Sequence, residues 1–597
     1  MSKNNETLIG RVVSIKGNLV SVKMIEGQNS LMPIIDGVLH RVGQLGSFLK
    51  IPLGYANLYG IVTQIGIDAI PEKLKELDFS NYEKVFSTRF LSLVLIGEKT
   101  ISKFERGITQ FPTAEDEVHL VTNKDLDLIY GSLDDNTSIT VGNISVSESL
   151  PAKIDLNKLI TRHCAILGST GSGKSNTVAV LLESIAQGEF KSSRILVIDP
   201  HGEYKESLKD FSRVFKIKAE KDKGQTELYI PYWALPFNEF INIFPGGLNE
   251  KQTEYIRQKI LEKKIHYILE NKLEDKISIL SITSESPIPF SIKQLWFELD
   301  DFERQTFSRS RDQNSIKAKI KVGDAKTFVS NEYPPASPGG GEPFLNWQAQ
   351  GILGFLSGMR NRMLDQRYSF LFDTGKFLPE LSGTVAKDLN DLLIDWLGNE
   401  KPITILDLSG IPSEIMSPVS GSLLKIIFDS LFWGQNLSVG GRKQPLLIVL
   451  EEAHNYLKTG ENSISSRTVQ TIAKEGRKYG IGLVLVTQRP SELDETVLSQ
   501  CGTTIALRMN NKGDRNHVSS AVQDELSNMT ALLPILRTGE GLILGEAVKI
   551  PSRVKFRKIS NAPKSSDPDV SEEWRKGRPD NAEYEKIVEN WRNQKFF

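Results

Sequence analysis

The sequence predicts an α/β fold in which a parallel sheet is joined to an N-terminal β-barrel and interrupted by an inserted helical domain. A glycine-rich loop at 168–175 stands between an apolar run and an amphipathic helix, which is the start of a βαβ unit. Two further apolar runs, at 194–198 and 446–450, each end in acidic residues. Short alternating strands before residue 125 and charged helical sequence from 229 to 400 indicate the other two parts.

Length and charge limit the classes of partner. The chain has 597 residues, enough for about three to four domains with cores of their own. Its 73 Lys and Arg residues nearly balance its 74 Asp and Glu residues. A nucleic-acid partner would therefore have to be bound by a local basic lining, since the chain as a whole carries almost no net charge.

Cysteine content and hydropathy predict a soluble protein of the cytoplasm. Cys164 and Cys501 are the only two cysteines, which excludes a disulfide framework or a cysteine-rich zinc site and suits a reducing compartment. The first seven residues contain no apolar signal region, and apolar runs such as 446–450 are far shorter than a membrane span. We therefore predict no membrane contact.

Residues 8 to about 125 have the pattern of β structure. Val20, Val22 and Met24 alternate with polar neighbours, and further short strands are predicted at 60–66 and 91–96. Many short strands joined by glycine turns are typical of a small barrel, which we place within residues 1–150.

The loop at 168–175 is a complete phosphate-binding sequence. Its glycines allow the backbone N–H groups to point at phosphate oxygens, Lys174 can reach the β- and γ-phosphates, and the Ser175 hydroxyl can bind Mg²⁺. A surface loop rich in glycine and serine could match by chance, but the flanking apolar run and helix argue against it. The predicted nucleotide-contacting residues here are Gly168, Ser169, Thr170, Gly171, Ser172, Gly173, Lys174, Ser175 and Asn176.

A helix should begin at Ser175 and add its N-terminal dipole to this anion site. Helical spacing places one apolar face toward the core, formed by Val178, Leu181, Leu182 and Ile185.

Two pairs of acids follow the apolar runs. Asp199 and Glu203 would lie at the carboxyl edge of the sheet, where α/β proteins bind ligands, although they could instead cap the next turn. Glu451 is placed to organise Mg²⁺, and Glu452 to orient and deprotonate the attacking water. The alternative is a pair of solvated acids at a strand end.

A third cluster follows a helix predicted from Ser466 to Lys478. The next strand, 481–486, leads to Gln488, whose amide can donate to a γ-phosphate and accept from water. Arg477 lies in the last helical turn, where its plain role is to satisfy free carbonyls and the helix dipole.

The block from 229 to 400 contains charged helical sequence and one segment, 334–343, that is too rich in proline and glycine for a helix or a central strand. Its most basic stretch, Arg304 to Lys321, could line a DNA path or be a solvated helix face. The basic residues concerned are Arg309, Arg311, Lys317, Lys319 and Lys321.

Five motifs occur in an order that resembles the HerA branch of the HerA/FtsK superfamily. They lie at 168–175, 199–204, 451–454, 475–480 and 487–491. The resemblance implies a RecA-like P-loop ATPase core in two parts, 151–228 and 401–550. It further implies an N-terminal barrel over 1–150, an inserted domain over 229–400 and a C-terminal arm over 551–597.

The same resemblance implies a homo-hexameric ring that binds ATP between subunits and moves double-stranded DNA through a central pore. Arg477 then becomes an arginine finger acting on the neighbouring subunit's ATP, and Arg162 a second arginine near the interface. Glu451 stands where many relatives have aspartate, which is chemically tolerable because a longer carboxylate can still order the water shell of Mg²⁺.

The predicted protein is therefore an ATP hydrolase of the helicase or translocase type that uses Mg²⁺. The resemblance also implies a partner effector docked on the barrel, either a nuclease such as NurA or a sirtuin-like NADase, in DNA end processing or antiviral defence. Two alternatives stay open: an ATPase scaffold that gates an effector without translocation, and a soluble pumping ATPase of the secretion or conjugation kind. The predicted catalytic residues are Glu452, Lys174, Arg477, Gln488 and Arg162, and the predicted metal ligands are Ser175 and Glu451.

Overall fold

The computed structural model describes most of the chain, including all five motif segments. The described residues are 7–25, 34–35, 38–39, 45–66, 89–100, 103–131, 133–145, 150–339, 341–411, 413–460, 463–521, 524–563, 570–576 and 582–593. Residues 1–6, on which part of the prediction of no signal region rests, lie outside them.

The N-terminal part is a closed antiparallel barrel, which confirms the prediction. Six strands pair in the order β2-β1-β9-β5-β6-β7, and pairing of β2 with β7 closes the ring while β8 extends it. The alternating side chains of β2 point inward as expected, because Val20 and Val22 are fully buried and Met24 is 6% exposed. The strands are β1 (Leu8–Lys16), β2 (Leu19–Met24), β3 (Ile34–Ile35), β4 (Val38–Leu39), β5 (Phe48–Leu53), β6 (Ala56–Ile65), β7 (Phe90–Lys99), β8 (Phe104–Arg106) and β9 (Glu117–Leu120).

The core is a twelve-stranded sheet that carries the predicted motifs. The sheet strands and one small hairpin are β10 (Ser138–Ile144), β11 (Pro151–Asp155), β12 (Cys164–Leu167), β13 (Ile195–Asp199), β14 (Ser212–Lys216), β15 (Thr226–Glu227), β16 (Thr306–Phe307), β17 (Phe344–Leu345), β18 (Ile403–Asp407), β19 (Leu446–Leu450), β20 (Ile481–Thr487), β21 (Thr503–Leu507), β22 (Glu540–Gly545) and β23 (Ser552–Phe556). Their order is β11-β10-β23-β22-β21-β12-β20-β19-β13-β18-β14-β15. The strands from β21 to β15 are parallel, and the remaining four pair antiparallel at one side.

This sheet extends across two of the predicted domain boundaries. β10 precedes residue 150 and β23 follows residue 551, yet the two strands pair with each other, for example Gly142 with Phe556. In sequence, β10 has the same short pattern as a barrel strand, and only its long-range partner assigns it to the core. The other predicted boundaries stay predictions.

The helices lie at Asn123–Tyr130, Leu156–Thr161, Lys174–Gln187, Phe237–Asn242, Glu250–Glu270, Ile292–Arg304, Leu353–Leu364, Ser369–Phe372, Leu389–Leu397, Ser413–Trp433, Ile464–Glu475, Glu495–Ser499, Lys512–Ala521, Val570–Arg575 and Ala582–Asn593. The helix after the phosphate loop begins one residue before the predicted start. Its predicted core face is correct, because Val178, Leu181, Leu182 and Ile185 are each at most 2% exposed.

One apolar helix is longer than the sequence interpretation allowed. Within Ser413–Trp433, the stretch Ile415–Trp433 has a mean hydropathy of 1.3 and is, by length and composition alone, able to cross a membrane. More than half of it, 56%, is buried inside the protein, as in the core helix of a soluble domain. It packs against the helix Ile464–Glu475.

The basic stretch Arg304 to Lys321 is not a helix, so that alternative for it is wrong. The helix ends at Arg304, and the residues beyond it form a two-residue strand, a short 3₁₀ turn and extended chain. Five of its basic side chains lie within ion-pair distance of acids, and these acids offset the positive charge that a DNA path would need. The pairs are Arg304–Asp300, Arg309–Asp312, Lys317–Glu342, Lys319–Asp301 and Lys321–Glu332.

Candidate nucleotide-binding site

The carboxyl ends of five neighbouring parallel strands bring the motifs together. β12 lies between β21 and β20, and the strands beyond β20 are β19, β13 and β18, in that order. Because the strands are parallel, the phosphate loop after β12 and the acidic residues after β13, β18 and β19 share one edge of the sheet. Gln488 follows β20 at the same edge.

The loop backbone has the form that phosphate binding requires, but its glycines differ in purpose. Gly171 and Gly173 have φ values of 72° and 103°, a region that favours glycine. Gly168 is needed for space instead, since a Cβ there would lie 2.6 Å from Ser172 Oγ and 2.8 Å from Leu507 Cβ. The sequence argument had given all three the same conformational role.

Lys174 lies among carboxylates at the first turn of the loop helix. Its Nζ donates to the Ser169 carbonyl at 3.3 Å. Burial lowers the pKa of Lys174, and the nearby charges of Glu452, Glu451 and Glu203 oppose that shift. A half-buried ammonium with one long contact to a neutral carbonyl is suited to a polyanionic ligand.

Asp199 organises a turn. Its side chain is 1% exposed and accepts hydrogen bonds from the backbone N–H groups of His201, Gly202 and Tyr204 at 3.1, 2.8 and 3.2 Å. Burial raises the pKa of Asp199 to about 6. These contacts are those expected if Asp199 caps the turn that follows its strand. Glu203 differs, because it lies close enough to Lys174 and Glu451 to affect the pKa values of both.

Glu451 is enclosed beside Tyr204. The Tyr204 hydroxyl, itself fully buried, donates to Glu451 Oε1. Burial raises the pKa of Glu451 to about 8, and the carboxylates of Asp199, Glu203 and Glu452 add to that rise. Burial and the neighbouring carboxylates disfavour the ionised form of Glu451, and a bound cation would stabilise that form.

Glu452 is held in an unusual backbone conformation. Its φ of 48° is in the left-handed region, which costs a non-glycine residue of order 1 kcal/mol or more and is seen mostly where function needs it. Burial alone would raise the pKa of Glu452, but His454 and Lys174 outweigh it, so the pKa lies below its usual value. His454 Nδ1 lies 3.2 Å from Glu452 Oε2 without hydrogen-bond geometry, and this buried oxygen has no other partner among the described residues.

One side-chain contact joins the phosphate loop to the end of β20, and another joins the segment after β19 to it. The Thr170 hydroxyl donates to Gln488 Oε1. His454 Nδ1 lies 3.0 Å from the hydroxyl of Thr487, which also accepts the backbone N–H of Arg489. The neighbouring residues Thr487 and Gln488 thus contact both sides of the site, Gln488 at the phosphate loop and Thr487 at His454, which lies beside Glu452.

Arg477 and Arg162 are not at this edge. Arg477 is exposed in the tight turn Gly476–Tyr479 that precedes β20, at the amino end of the sheet. The seven residues of β20 separate it from Gln488 by roughly 20 Å, at about 3.3 Å per residue. Arg162 precedes β12 at the same amino end, with its Nε 3.6 Å from Glu546 Oε2. Neither arginine is near its own phosphate loop.

Asn176 has other partners than a nucleotide. Its side-chain amide donates to the Arg557 carbonyl at 2.9 Å and accepts from the Ile559 N–H at 3.2 Å. Both polar groups therefore fasten the loop helix to the chain after β23.

Sequence reasoning missed Asp407 and His454. Asp407 ends β18 directly opposite Asp199, is fully buried, and has an Oδ2 without a hydrogen-bond partner among the described residues. The signal was available, since an apolar run ending in an acid is the pattern that identified Asp199. His454 lies in the motif 451–454, and the structure places its Nδ1 near both the Thr487 hydroxyl and Glu452 Oε2.

The residues fit a nucleotide with Mg²⁺. Two loop glycines have positive φ, Ser172 Oγ is buried without a partner in the part of the chain described, and Lys174 faces carboxylates. Within the same part, no cluster of three or more His, Cys, Asp or Glu side chains is arranged to bind a metal alone. Mg²⁺ ordinarily takes one or two protein ligands and completes its shell with water and phosphate, so Ser175 and Glu451 would suffice.

Comparison with known families gives two matches that together run from residue 139 to 590. The family described as "Helicase HerA, central domain" matches residues 139–427, and "Helicase HerA-like C-terminal" matches residues 391–590.

Curated relatives are similar over most of their length. The "DNA double-strand break repair helicase HerA" of Sulfurisphaera tokodaii is 27% identical over 559 residues, covering 93% of this chain and 96% of that protein. A "probable DNA double-strand break repair helicase HerA" of Methanocaldococcus jannaschii is 29% identical and covers 77% and 83%.

Solved structures are more distant. VirB4 of Thermoanaerobacter pseudethanolicus is 13% identical with a TM-score of 0.44, covering 72% of this chain and all of that one. The coupling protein TrwB in complex with ADP and Mg²⁺ is 13% identical with a TM-score of 0.40, covering 73% and 92%.

Proposed function

Because the chain belongs to the HerA-type helicase family and is thereby an ATP-hydrolysing helicase or translocase, we propose that it acts as a homo-hexameric ring that moves double-stranded DNA. The ring binds ATP with Mg²⁺ between neighbouring subunits. The names of the relatives refer to repair of double-strand breaks, which supports DNA as the substrate.

The proposal of a ring depends mainly on the position of Arg477. Arg477 is exposed at the amino end of the sheet, roughly 20 Å from the phosphate loop of the same subunit. An arginine that stabilises charge on the γ-phosphate must approach to hydrogen-bond distance, so Arg477 can serve only a loop from another copy. Arg162 lies at the same end and would line the same boundary.

Each side chain at the loop has a distinct task. Lys174 holds the β- and γ-phosphates, while Ser175 and Glu451 would hold Mg²⁺, which would supply stabilisation of the negative charge on the transferred phosphoryl group. Glu452 orients the attacking water and takes its proton, and its lowered pKa keeps it ionised for that task. Gln488 senses the γ-phosphate, and its hydrogen bond with Thr170 of the phosphate loop supports that role.

The narrower role is DNA end processing with a partner effector, a nuclease or an NADase, docked on the N-terminal barrel. The relatives' names favour repair over antiviral defence. A cytoplasmic location belongs to the same proposal.

The test is DNA-dependent ATP turnover by the purified chain. Linear duplex DNA should stimulate hydrolysis, and the motor should displace a third strand from a triplex on that DNA. Lys174→Ala should abolish both activities while the protein stays folded, because Lys174 supplies the positive charge that holds the β- and γ-phosphates. If DNA does not stimulate hydrolysis and no third strand is displaced, the protein is not a DNA motor. The remaining hypothesis would then be an ATPase scaffold that gates its effector.

A further inference from the structure

A buried histidine lies at the amino end of the sheet, between Arg162 and the first residue of β12. His163 is 3% exposed and has a φ of 54°, in the left-handed region, which costs a non-glycine residue roughly 1 kcal/mol or more. A conformation of this kind persists only where the surroundings hold it. The contacts of the His163 ring therefore indicate what the residue does.

The imidazole of His163 makes two hydrogen bonds, and the partners fix its tautomer. Nδ1 accepts the backbone N–H of Leu483 at 3.1 Å, and Nε2 lies 3.1 Å from the carbonyl oxygen of Ala473, which can only accept. Burial lowers the pKa of His163, although the contact with Ala473 opposes that shift. The ring is therefore neutral, with its proton on Nε2.

These two hydrogen bonds hold both stems of the turn that carries Arg477. Ala473 lies near the end of the helix Ile464–Glu475, before Arg477, and Leu483 lies in β20, after it. The Ala473 carbonyl is among the last four of its helix, which have no partner within the helix. His163 supplies that donor and thereby joins the end of the helix to the strand that follows the turn.

The side chain of Arg477 depends on its backbone for its position. It is exposed, and its guanidinium makes no hydrogen bond or ion pair within the part of the chain that the structure describes. The turn is closely packed, because a Cβ on Gly476 would lie 2.9 Å from Ile472 Cγ2 and 3.0 Å from the Ile481 carbonyl oxygen. A shift of either stem would therefore be passed on to Arg477.

Arg162 is held at the same point. It directly precedes His163, and its carbonyl accepts the backbone N–H of Gly502 at 2.6 Å. A Cβ on Gly502 would lie 2.8 Å from Arg162 Cβ, so the two backbones approach closely. One buried ring thus contacts or adjoins the backbone beside both arginines of the amino end.

We propose that His163 is the positioning residue for Arg477 and Arg162, and that its hydrogen bond to Ala473 holds Arg477 in the geometry that serves the neighbour's nucleotide. This inference rests on the proposed function, since it requires the arginines to act between subunits. It goes further by assigning their placement to a buried side chain that touches no nucleotide. Misplacement of a catalytic group by about 1 Å can lower a rate roughly 10²-fold, so the placement matters for turnover.

The first experiment separates the two hydrogen bonds of the imidazole. The side-chain oxygen in His163→Asn can take the place of Nδ1, but this shorter side chain does not reach Ala473. His163→Asn should lower kcat for DNA-stimulated ATP hydrolysis about 10- to 100-fold, with the KM for ATP changed less than about twofold. The amide in His163→Gln reaches the position of Nε2, so this variant should keep a kcat at least about fivefold above that of His163→Asn.

Two controls accompany these variants. Asparagine adopts positive φ readily, so His163→Asn should stay folded, which its melting temperature checks. His119→Asn is the matched substitution, because His119 is also buried, at 5% exposed, and lies in the barrel. It should leave kcat unchanged. If His163→Asn keeps as much activity as His163→Gln, the hydrogen bond to Ala473 does not position the arginines and the inference is wrong.

The second experiment asks which side of the subunit boundary His163 serves. Mixed assemblies are prepared by co-expression and tandem-tag purification. His163→Asn subunits should regain turnover with Glu452→Gln subunits, because the latter supply well-placed arginines to the intact phosphate sites of the former. They should regain none with Arg477→Ala subunits, because no subunit of that assembly holds Arg477 in place.

The outcomes separate this inference from the proposed function. Recovery with Arg477→Ala instead of Glu452→Gln would show that His163 serves its own phosphate loop through β12, and recovery with neither would show a general structural role. Either result overturns the inference, whereas the function stands if Arg477→Ala and Glu452→Gln subunits recover turnover together. If that reference pair recovers nothing, in covalently linked subunits as well, the inference and the action of Arg477 between subunits fail together.

Discussion

At the scale of single residues, the two neighbouring acids after β19 occupy different surroundings. Glu451 is enclosed with Tyr204 and has a pKa raised to about 8, whereas Glu452 is held ionised by His454 and Lys174. One backbone step thus separates a carboxyl group with a raised pKa from one with a lowered pKa. The left-handed conformation of Glu452 turns the two side chains to these different environments.

Substituting each acid separately should reveal two phenotypes. Glu452→Gln keeps the shape but loses the base, so ATP should bind, assemblies should persist, and hydrolysis should fall about 10²-fold or more. Glu451→Gln should instead weaken Mg²⁺-dependent nucleotide binding. Equilibrium binding of a fluorescent ATP analogue and steady-state turnover measure the two effects, and the reverse pattern would mean that the roles are exchanged.

The raised pKa of Glu451 also predicts that Mg²⁺-dependent nucleotide binding depends on pH, which gives a second test of Glu451→Gln. A carboxyl group with a pKa of about 8 must release a proton to bind a cation, so Mg²⁺-dependent binding by the wild type should tighten as pH rises from 7 toward 8. Glu451→Gln should lose that part of the dependence. Identical pH profiles for the two proteins would show that Glu451 does not bind the metal.

His454 should position the base through its contact with Thr487. His454→Ala should lower kcat roughly 10- to 100-fold with little change in KM, since small misplacements of a catalytic group are costly. His454→Asn places a donor near the position of Nδ1 and should restore much of the rate. If His454→Ala and His454→Asn lower kcat equally, Nδ1 of His454 is not the group that positions Glu452.

At the scale of elements, the loop helix is held at two places. Its N-terminus carries the phosphate loop, and Asn176 in its first turn bonds the chain after β23 at Arg557 and Ile559. The position of the anion site thus depends on the antiparallel side of the sheet, far away in sequence.

Asn176→Ala tests that connection. Loss of two hydrogen bonds should reduce the free energy of unfolding by about 1–3 kcal/mol, measured by urea denaturation, with only a minor rise in KM for ATP. Asn176 would instead be a nucleotide ligand, as the sequence suggested, if the KM for ATP rose strongly at unchanged stability.

At the scale of the whole molecule, catalysis should require two copies. Arg477→Ala should hydrolyse ATP about 10³- to 10⁵-fold more slowly while still binding it, because an arginine finger stabilises charge that develops only during phosphoryl transfer. Mixed assemblies of Arg477→Ala and Glu452→Gln subunits contain interfaces that pair an intact Arg477 with an intact Glu452. Those assemblies should regain turnover, measured after co-expression and tandem-tag purification.

A control made only from tagged Arg477→Ala subunits should stay inactive. Confirmed mixed assemblies that regain nothing would show that Arg477 works in its own subunit or that every interface must fire together, and covalently linked subunits would separate these outcomes.

The sequence by itself determined the parts of the protein whose signal is local. The phosphate loop, the apolar strands ending in Asp199 and Glu451, and the barrel could be predicted because spacing and residue type act over a few positions. Only the tertiary structure decided what depends on long-range pairing. It joined β10 to β23 across predicted boundaries, gave Asn176 its partners, placed His454 between Thr487 and Glu452, and set Arg477 at the end of the sheet opposite its own loop. These facts depend on which distant strands become neighbours, and no local pattern encodes that choice.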